Sequence, residues 1–179
     1  SSNCASVLSS MSNVFIDRGQ YDHAEEVCLR ALEFYKDDVG TTYNNLGMVY
    51  HMWGQYDRAL EYYEKSILIK EDKGIQDIVA MLNNFGNIYE LKGNYNKSLE
   101  YYKKSLSNAI DIGAESYYRT IILNIMRCYL ELENIEQFFM YSEKYSAIEN
   151  QVVEIGSLLE FCLIVGNMER ILGDDEAAI

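Results

Sequence analysis

The segment NNLGMVYHMWGQYDRALEYYEKS, residues 44–66, is followed 39 residues later by NNFGNIYELKGNYNKSLEYYKKS, residues 83–105. The two align without a gap and agree at over half their positions. A unit written twice in tandem must pack against its own kind, and that excludes most fold classes. The anchor of the unit is glycine, any residue, tyrosine, and a small residue three further on. It stands at Gly19, Gln20, Tyr21 and Ala24, at Gly54, Gln55, Tyr56 and Ala59, and at Gly93, Asn94, Tyr95 and Ser98. A worn copy reads Glu133, Asn134, Ile135 and Phe138, and a truncated one Gly173, Asp174, Asp175 and Ala178. Apolar residues fall at helical spacing on both sides of the anchor, as Tyr43, Leu46, Gly47 and Tyr50 before Gly54 and Leu60, Tyr63 and Ile67 after it. Each copy therefore predicts two antiparallel helices, A and B, with a tight turn at the anchor. The chain contains no proline, which suits uninterrupted helices. One hairpin cannot bury its apolar face alone, whereas stacked hairpins bury a continuous core.

The order Leu-Gly, Tyr, Gly-x-Tyr, Ala, Tyr at these offsets resembles the tetratricopeptide repeat, and the resemblance covers almost the whole chain. The 39–40-residue period and the missing proline after helix B make it similar to the long-repeat branch found in bacterial peptide-binding regulators and kinesin light chains. The resemblance implies an all-α fold, a right-handed superhelix of antiparallel helix hairpins. It implies one array over residues 1–179, with repeats at about 5–38, 40–75, 79–115 and 119–155 and the first helix of a fifth at 159–179. Gly47, Gly86 and Gly166 are expected where helix A meets helix B, facing the small residues Ala24, Ala59 and Ser98. Gly74 and Gly113 are placed to stop helix B through a left-handed cap. In the fourth copy Met126, Phe138 and Tyr145 together replace small residues, so its core must be packed differently.

Candidate chemistry is sparse. His23 and His51 stand on different repeats, with no triad or metal-ligand spacing around either. The four cysteines, Cys4, Cys28, Cys128 and Cys162, show no metal-binding spacing and suit a reducing compartment, which favours the cytoplasm. No enzyme, cofactor or metal is expected. The informative surface is the face of helix A turned away from the core. It carries Asn13 in the first repeat, Asn44, Asn45, Met48 and His51 in the second, Asn83, Asn84 and Asn87 in the third, and Asn124 and Arg127 in the fourth. In the family the A helices line the concave side, so these are the candidate peptide-groove residues. A carboxamide both donates and accepts, and a row of them suits a peptide backbone. Some family members clamp acidic tails with lysines and an arginine in the groove, but here those positions hold Ser9, Asn44 and Asn83, and only Arg127 is cationic.

The net charge is −13. Phosphate backbones and anionic membranes are poor partners for such a surface. Asp17, Glu90 and Glu131 on the groove side favour a neutral or basic protein ligand over an acidic one. The expected function is a non-catalytic protein- or peptide-binding segment of a longer signalling or regulatory protein. The alternative is an assembly element that dimerises through the uncapped fifth repeat, where Leu158, Leu159, Phe161, Leu163 and Ile164 would lie exposed.

Overall fold

The computed structural model describes residues 2–34, 39–73, 78–148 and 163–166. The described residues are helices and short turns, and they contain no strand. The helices are α1 (Ser2–Asp17), α2 (Tyr21–Phe34), α3 (Val39–Met52), α4 (Tyr56–Asp72), α5 (Val79–Leu91), α6 (Tyr95–Asp111), α7 (Tyr118–Glu131) and α8 (Ile135–Ser146). Odd-numbered helices are A helices and even-numbered ones B helices. The chain divides into two compact units, Ser1–Met81 and Leu82–Ile179, each with its own packing.

The turn chemistry is the same in every hairpin. At the end of α3 the Gly54 N–H donates to the His51 carbonyl (3.0 Å) and the Gln55 N–H to the Tyr50 carbonyl (2.8 Å). These paired bonds close a helix C-terminus only if the residue between them adopts a left-handed conformation, and Gly54 has φ 78°. The worn fourth anchor makes the same two bonds, Glu133 N–H to Leu130 and Asn134 N–H to Tyr129, with Glu133 itself at φ 52°. The backbone thus keeps the turn where the sequence has lost its glycine, at a cost of about 1 kcal/mol. In the third and fourth hairpins the next residue also caps the B helix: the Asn94 side chain accepts from the Lys97 N–H and Asn134 from the Gln137 N–H, each at 3.2 Å, whereas Gln55 in the second makes no side-chain cap. Gly113, at φ 68°, ends α6 in the same left-handed way, while Gly74 lies outside the described residues.

In the first unit the core is built on Leu46, Val49, Tyr50, Ala59 and Tyr63, each fully buried. In the second it is built on Ile88, Tyr102, Ile121, Ile125, Met126 and Phe138, also fully buried. The fourth hairpin seats its bulky Met126, Phe138 and Tyr145 with no more than 3% exposure. Glycine on helix A makes room for an aromatic ring on helix B. A Cβ on Gly47 would lie 2.5 Å from the Tyr63 ring, and one on Gly86 would lie 2.3 Å from the Tyr102 ring. Ser98, the small residue of the third anchor, donates to the Gly86 carbonyl at 2.8 Å. Gly166 is exposed, with no described atom within 4 Å of the position a Cβ would take there. The rest of the fifth repeat apart from residues 163–166 lies outside the described residues. Of its expected apolar patch, Leu163 is exposed and Ile164 buried; Leu158, Leu159 and Phe161 are not among the described residues.

A second regularity links the A and B helices. Tyr50 stacks on Tyr62 (5.3 Å), Tyr89 on Tyr101 (5.4 Å), and Tyr129 packs tilted on Tyr141 (5.7 Å). Lys65, Lys104 and Lys144 sit over the second ring of each pair, at 4.7, 5.3 and 4.5 Å from its centre. Each such cation–ring contact contributes about 0.5–1 kcal/mol and holds in place the B-helix ring that packs on helix A. In the first unit the series continues through Trp53, which stacks on Tyr50 (6.2 Å) and on Tyr21 of the preceding hairpin (5.9 Å).

Candidate functional site

The A-helix face of the second unit carries a bonded polar network. The Arg127 Nε–H donates to Glu90 Oε1 at 3.0 Å, and its Nη2–H donates to Asn124 Oδ1 at 2.8 Å. Asn124 in turn donates from Nδ2 to Asn83 Oδ1 at 3.0 Å. The Tyr102 hydroxyl, coming up from α6, lies 2.6 Å from both Glu90 Oε2 and Asn87 Oδ1. Burial, and then the bond to the Glu90 carboxylate, push the Tyr102 pKa upward, so this hydroxyl keeps its proton and serves as a donor. Asn124 is 6% exposed, and the side chains of Arg127 and Glu90 are 34% and 21% exposed. The fork of Arg127 suits a planar carboxylate, and here that carboxylate belongs to the same chain. Glu90 therefore adds little net negative charge to this face.

Asn84 is on the same face, half-buried, one turn from Asn87. No protein partner for its carboxamide is present among the described residues. In the first unit Asn45 is buried and engaged with a partner, Met48 is half-buried, and Asn44 is half-buried with its Oδ1 shielded from solvent and given no donor among the described residues. His51 stands edge-on to Tyr56 at 6.1 Å, and its burial holds the imidazole pKa below the ordinary 6.5. Asn13 is exposed on α1, and His23 is exposed and stacked on Phe15. The structure thus brings Asn83, Asn87, Asn124 and Arg127 into one network and leaves Asn84 beside it. Sequence reasoning missed Glu90 and Tyr102 as members of that network. The recurrence of a tyrosine nine positions after two of the anchor glycines, Tyr63 after Gly54 and Tyr102 after Gly93, was the available signal.

Cys28 and Cys128 are buried thiols, donating to Ser12 (3.3 Å) and Ser98 (3.4 Å), and desolvation raises both pKa values, that of Cys128 to about 11. The side chains of Cys4 and Cys162 lie outside the described set. Among the described residues no three histidine, cysteine or acidic side chains converge as metal ligands, and no helix is long and apolar enough to cross a membrane.

Comparison with known proteins agrees with this architecture. Two family models described as tetratricopeptide repeat match residues 3–72 and 79–109, together more than half of the chain. No curated protein sequence matches. Among solved structures, BtubC (BKLC) from P. vanneervenii is 20% identical, with a TM-score of 0.73, over 90% of this chain and 73% of its own. Aspartyl phosphate phosphatase F from Bacillus subtilis is 16% identical, with a TM-score of 0.83, over 90% of this chain and 44% of its own. The nearly identical TPR-like repeats of a Podosopora anserina putative kinesin light chain align at 13% identity and a TM-score of 0.71, over 95% of this chain and 89% of theirs. At such identities the likeness is one of fold, an all-α array of helix hairpins. With the family models on both halves of the chain and the anchor turns present in all four hairpins, the chain belongs to the tetratricopeptide repeat family.

Proposed function

We propose that the chain is a non-catalytic scaffold that binds a protein partner through an extended peptide laid on its A helices. Tetratricopeptide repeats mediate protein–protein interactions, and the A-helix face of the second unit has the chemistry for it. The observation that carries the reading is the half-buried carboxamide of Asn84, unpaired among the described residues beside a network that is already satisfied. A half-buried amide without a partner retains its donor and acceptor for a ligand backbone. The neighbouring network of Asn83, Asn124, Arg127 and Glu90 holds the surface around it rigid. With Glu90 neutralised and the chain at −13 overall, neutral or basic peptides are preferred over acidic ones. The groove would serve as the interaction or sensor segment of a signalling or regulatory protein.

The test is selection of binding peptides from an unbiased displayed library, followed by affinity measurement on variants. Asn84→Ala removes two backbone-directed hydrogen bonds and should weaken selected peptides by about tenfold. Its melting temperature should stay within about 2 °C of the parent. Selected peptides that bind Asn84→Ala as tightly as the parent would show that this face does not read the ligand.

A further inference from the structure

The helix α1 has an apolar face that its own fold leaves open. Val7, Met11 and Val14 are 54%, 43% and 48% exposed, and with Ser10, Phe15 and Arg18 they line an open pocket of about 370 Å³. They lie 12, 8 and 5 residues before the anchor Gly19. The same register on α3 holds Thr42, Leu46 and Val49, and on α7 Ile121, Ile125 and Cys128, none more than 6% exposed. The packing of the later helices shows what covers this register. Helix α2 packs on α3, and α6 on α7. The Cys128 thiol meets Ser98 of α6 at 3.4 Å, and Met81 of α5, in the register of Val7, meets Ser66 of α4 at 3.3 Å. The covering helix is thus the B helix of the hairpin before, presenting small residues. Those small residues come in pairs seven apart: Ala24 and Ala31, Ala59 and Ser66, Ser98 and Ser105. Val7 and Val14 are also seven apart, which matches the two lines turn for turn. Moreover, residues 2–16 of α1 include no charged side chain, unlike the solvent-facing α2 with Asp22, Glu26, Arg30 and Glu33. By register and by composition α1 is an interior helix.

We propose that this face of α1 is a docking surface for one occupant. That occupant is an amphipathic helix of the B type, antiparallel to α1, with small residues seven apart opposite Val7 and Val14. In the docked pair it lies against α1 as α6 lies against α7. The inference rests on the register and exposure of α1 and is independent of the peptide site on the A-helix face.

The experiment fuses a second copy of residues 79–117 directly ahead of Cys4, so that α1 follows a B helix at the spacing at which α7 follows α6. Hydrogen exchange of the α1 backbone is compared in the fusion and the 179-residue chain, each with and without Met11→Asp. The fusion should slow exchange in α1 at least tenfold, and Met11→Asp should abolish the slowing. In the parent chain, where Met11 is exposed, the same change should leave the melting temperature within about 2 °C. Unchanged exchange in the fusion overturns the proposal. So does a Met11→Asp effect as large in the parent as in the fusion. A parent chain that sediments as a dimer and is split by Met11→Asp overturns it as well, since the occupant is then a second copy.

Discussion

Replacing Gly86 by alanine isolates the most demanding contact in the second unit. An added Cβ would stand 2.3, 2.4 and 2.8 Å from three atoms of the Tyr102 ring. That ring is fully buried, so it has no free direction in which to swing, and its hydroxyl is held at 2.6 Å by Glu90 and Asn87. Restoring ordinary contact requires the ring or the helix to move by about 1 Å. Overpacking of this kind costs about 1–3 kcal/mol. The displaced hydroxyl also weakens a bond to a carboxylate worth about 1.5–3 kcal/mol. Against these stands the helix preference for alanine over glycine, about 1 kcal/mol. The net expectation is a loss of about 2–4 kcal/mol, or roughly 6–12 °C in melting temperature for the middle of that range. Urea unfolding followed by circular dichroism measures it, as a lower midpoint at unchanged slope. A double-mutant cycle with Tyr102→Leu tests the cause. Shortening the ring should remove most of the Gly86→Ala penalty, giving a coupling of at least about 1 kcal/mol. If Gly86→Ala instead stabilises the protein by the propensity alone, the close packing of this hairpin is wrong.

Other outcomes follow from the same geometry. Glu133→Gly should raise stability by about 0.5–1 kcal/mol in thermal melting, because Glu133 occupies a left-handed turn that glycine adopts without strain. Asn124→Ala, which removes one hydrogen-bond partner from each of Asn83 and Arg127, should lower the melting temperature by several degrees, whereas Asn84→Ala should not. His51 titrates below its ordinary 6.5 in the folded chain, so the unfolded chain takes up the proton first. Its contribution to stability is complete above pH 6.5 and is lost as pH falls through that value toward the folded pKa; His51→Gln should flatten this part of a stability-versus-pH curve. Cys28 and Cys128 should resist alkylation at pH 7.5 in the folded protein and react on denaturation, read by mass spectrometry.

Much of the fold is legible in the sequence because its signals are local. An anchor glycine, apolar residues at helical spacing and a repeat period fix hairpins without any knowledge of tertiary geometry. What covers Gly86 is different. Sequence reasoning sets it against the small residue at the anchor, Ser98, and Ser98 does reach the Gly86 carbonyl. The space above the glycine is nonetheless filled by Tyr102, one turn further along α6, because the crossing of the two helices decides which side chain falls there. The candidate site shows the same limit. Aligning repeats puts Asn84 and Asn124 in one register, but the bond joins Asn124 to Asn83, one position over, because neighbouring A helices are offset. Likewise Glu90 and Arg127 read as two independent groove charges, 37 residues apart, until the packing of adjacent hairpins brings them to 3.0 Å. The tyrosine–lysine series is legible in principle, since Tyr62, Tyr101 and Tyr141 recur with Lys65, Lys104 and Lys144 at fixed spacing. Its meaning required the ring distances.

The single tryptophan of the chain, Trp53, is stacked between the rings of Tyr50 and Tyr21. Tyr21 belongs to the first hairpin and Trp53 to the turn of the second, so the indole sits on the seam between them within the first unit. Its emission is therefore a local optical gauge of that seam, while tyrosine absorbance, drawn from 16 residues over the whole chain, averages every hairpin. Recording both along one denaturant titration separates the melting of the first seam from that of the rest. Coincident curves would mean that the hairpins lose their order as one cooperative body, and an earlier tryptophan change would place the first opening at the α2–α3 junction.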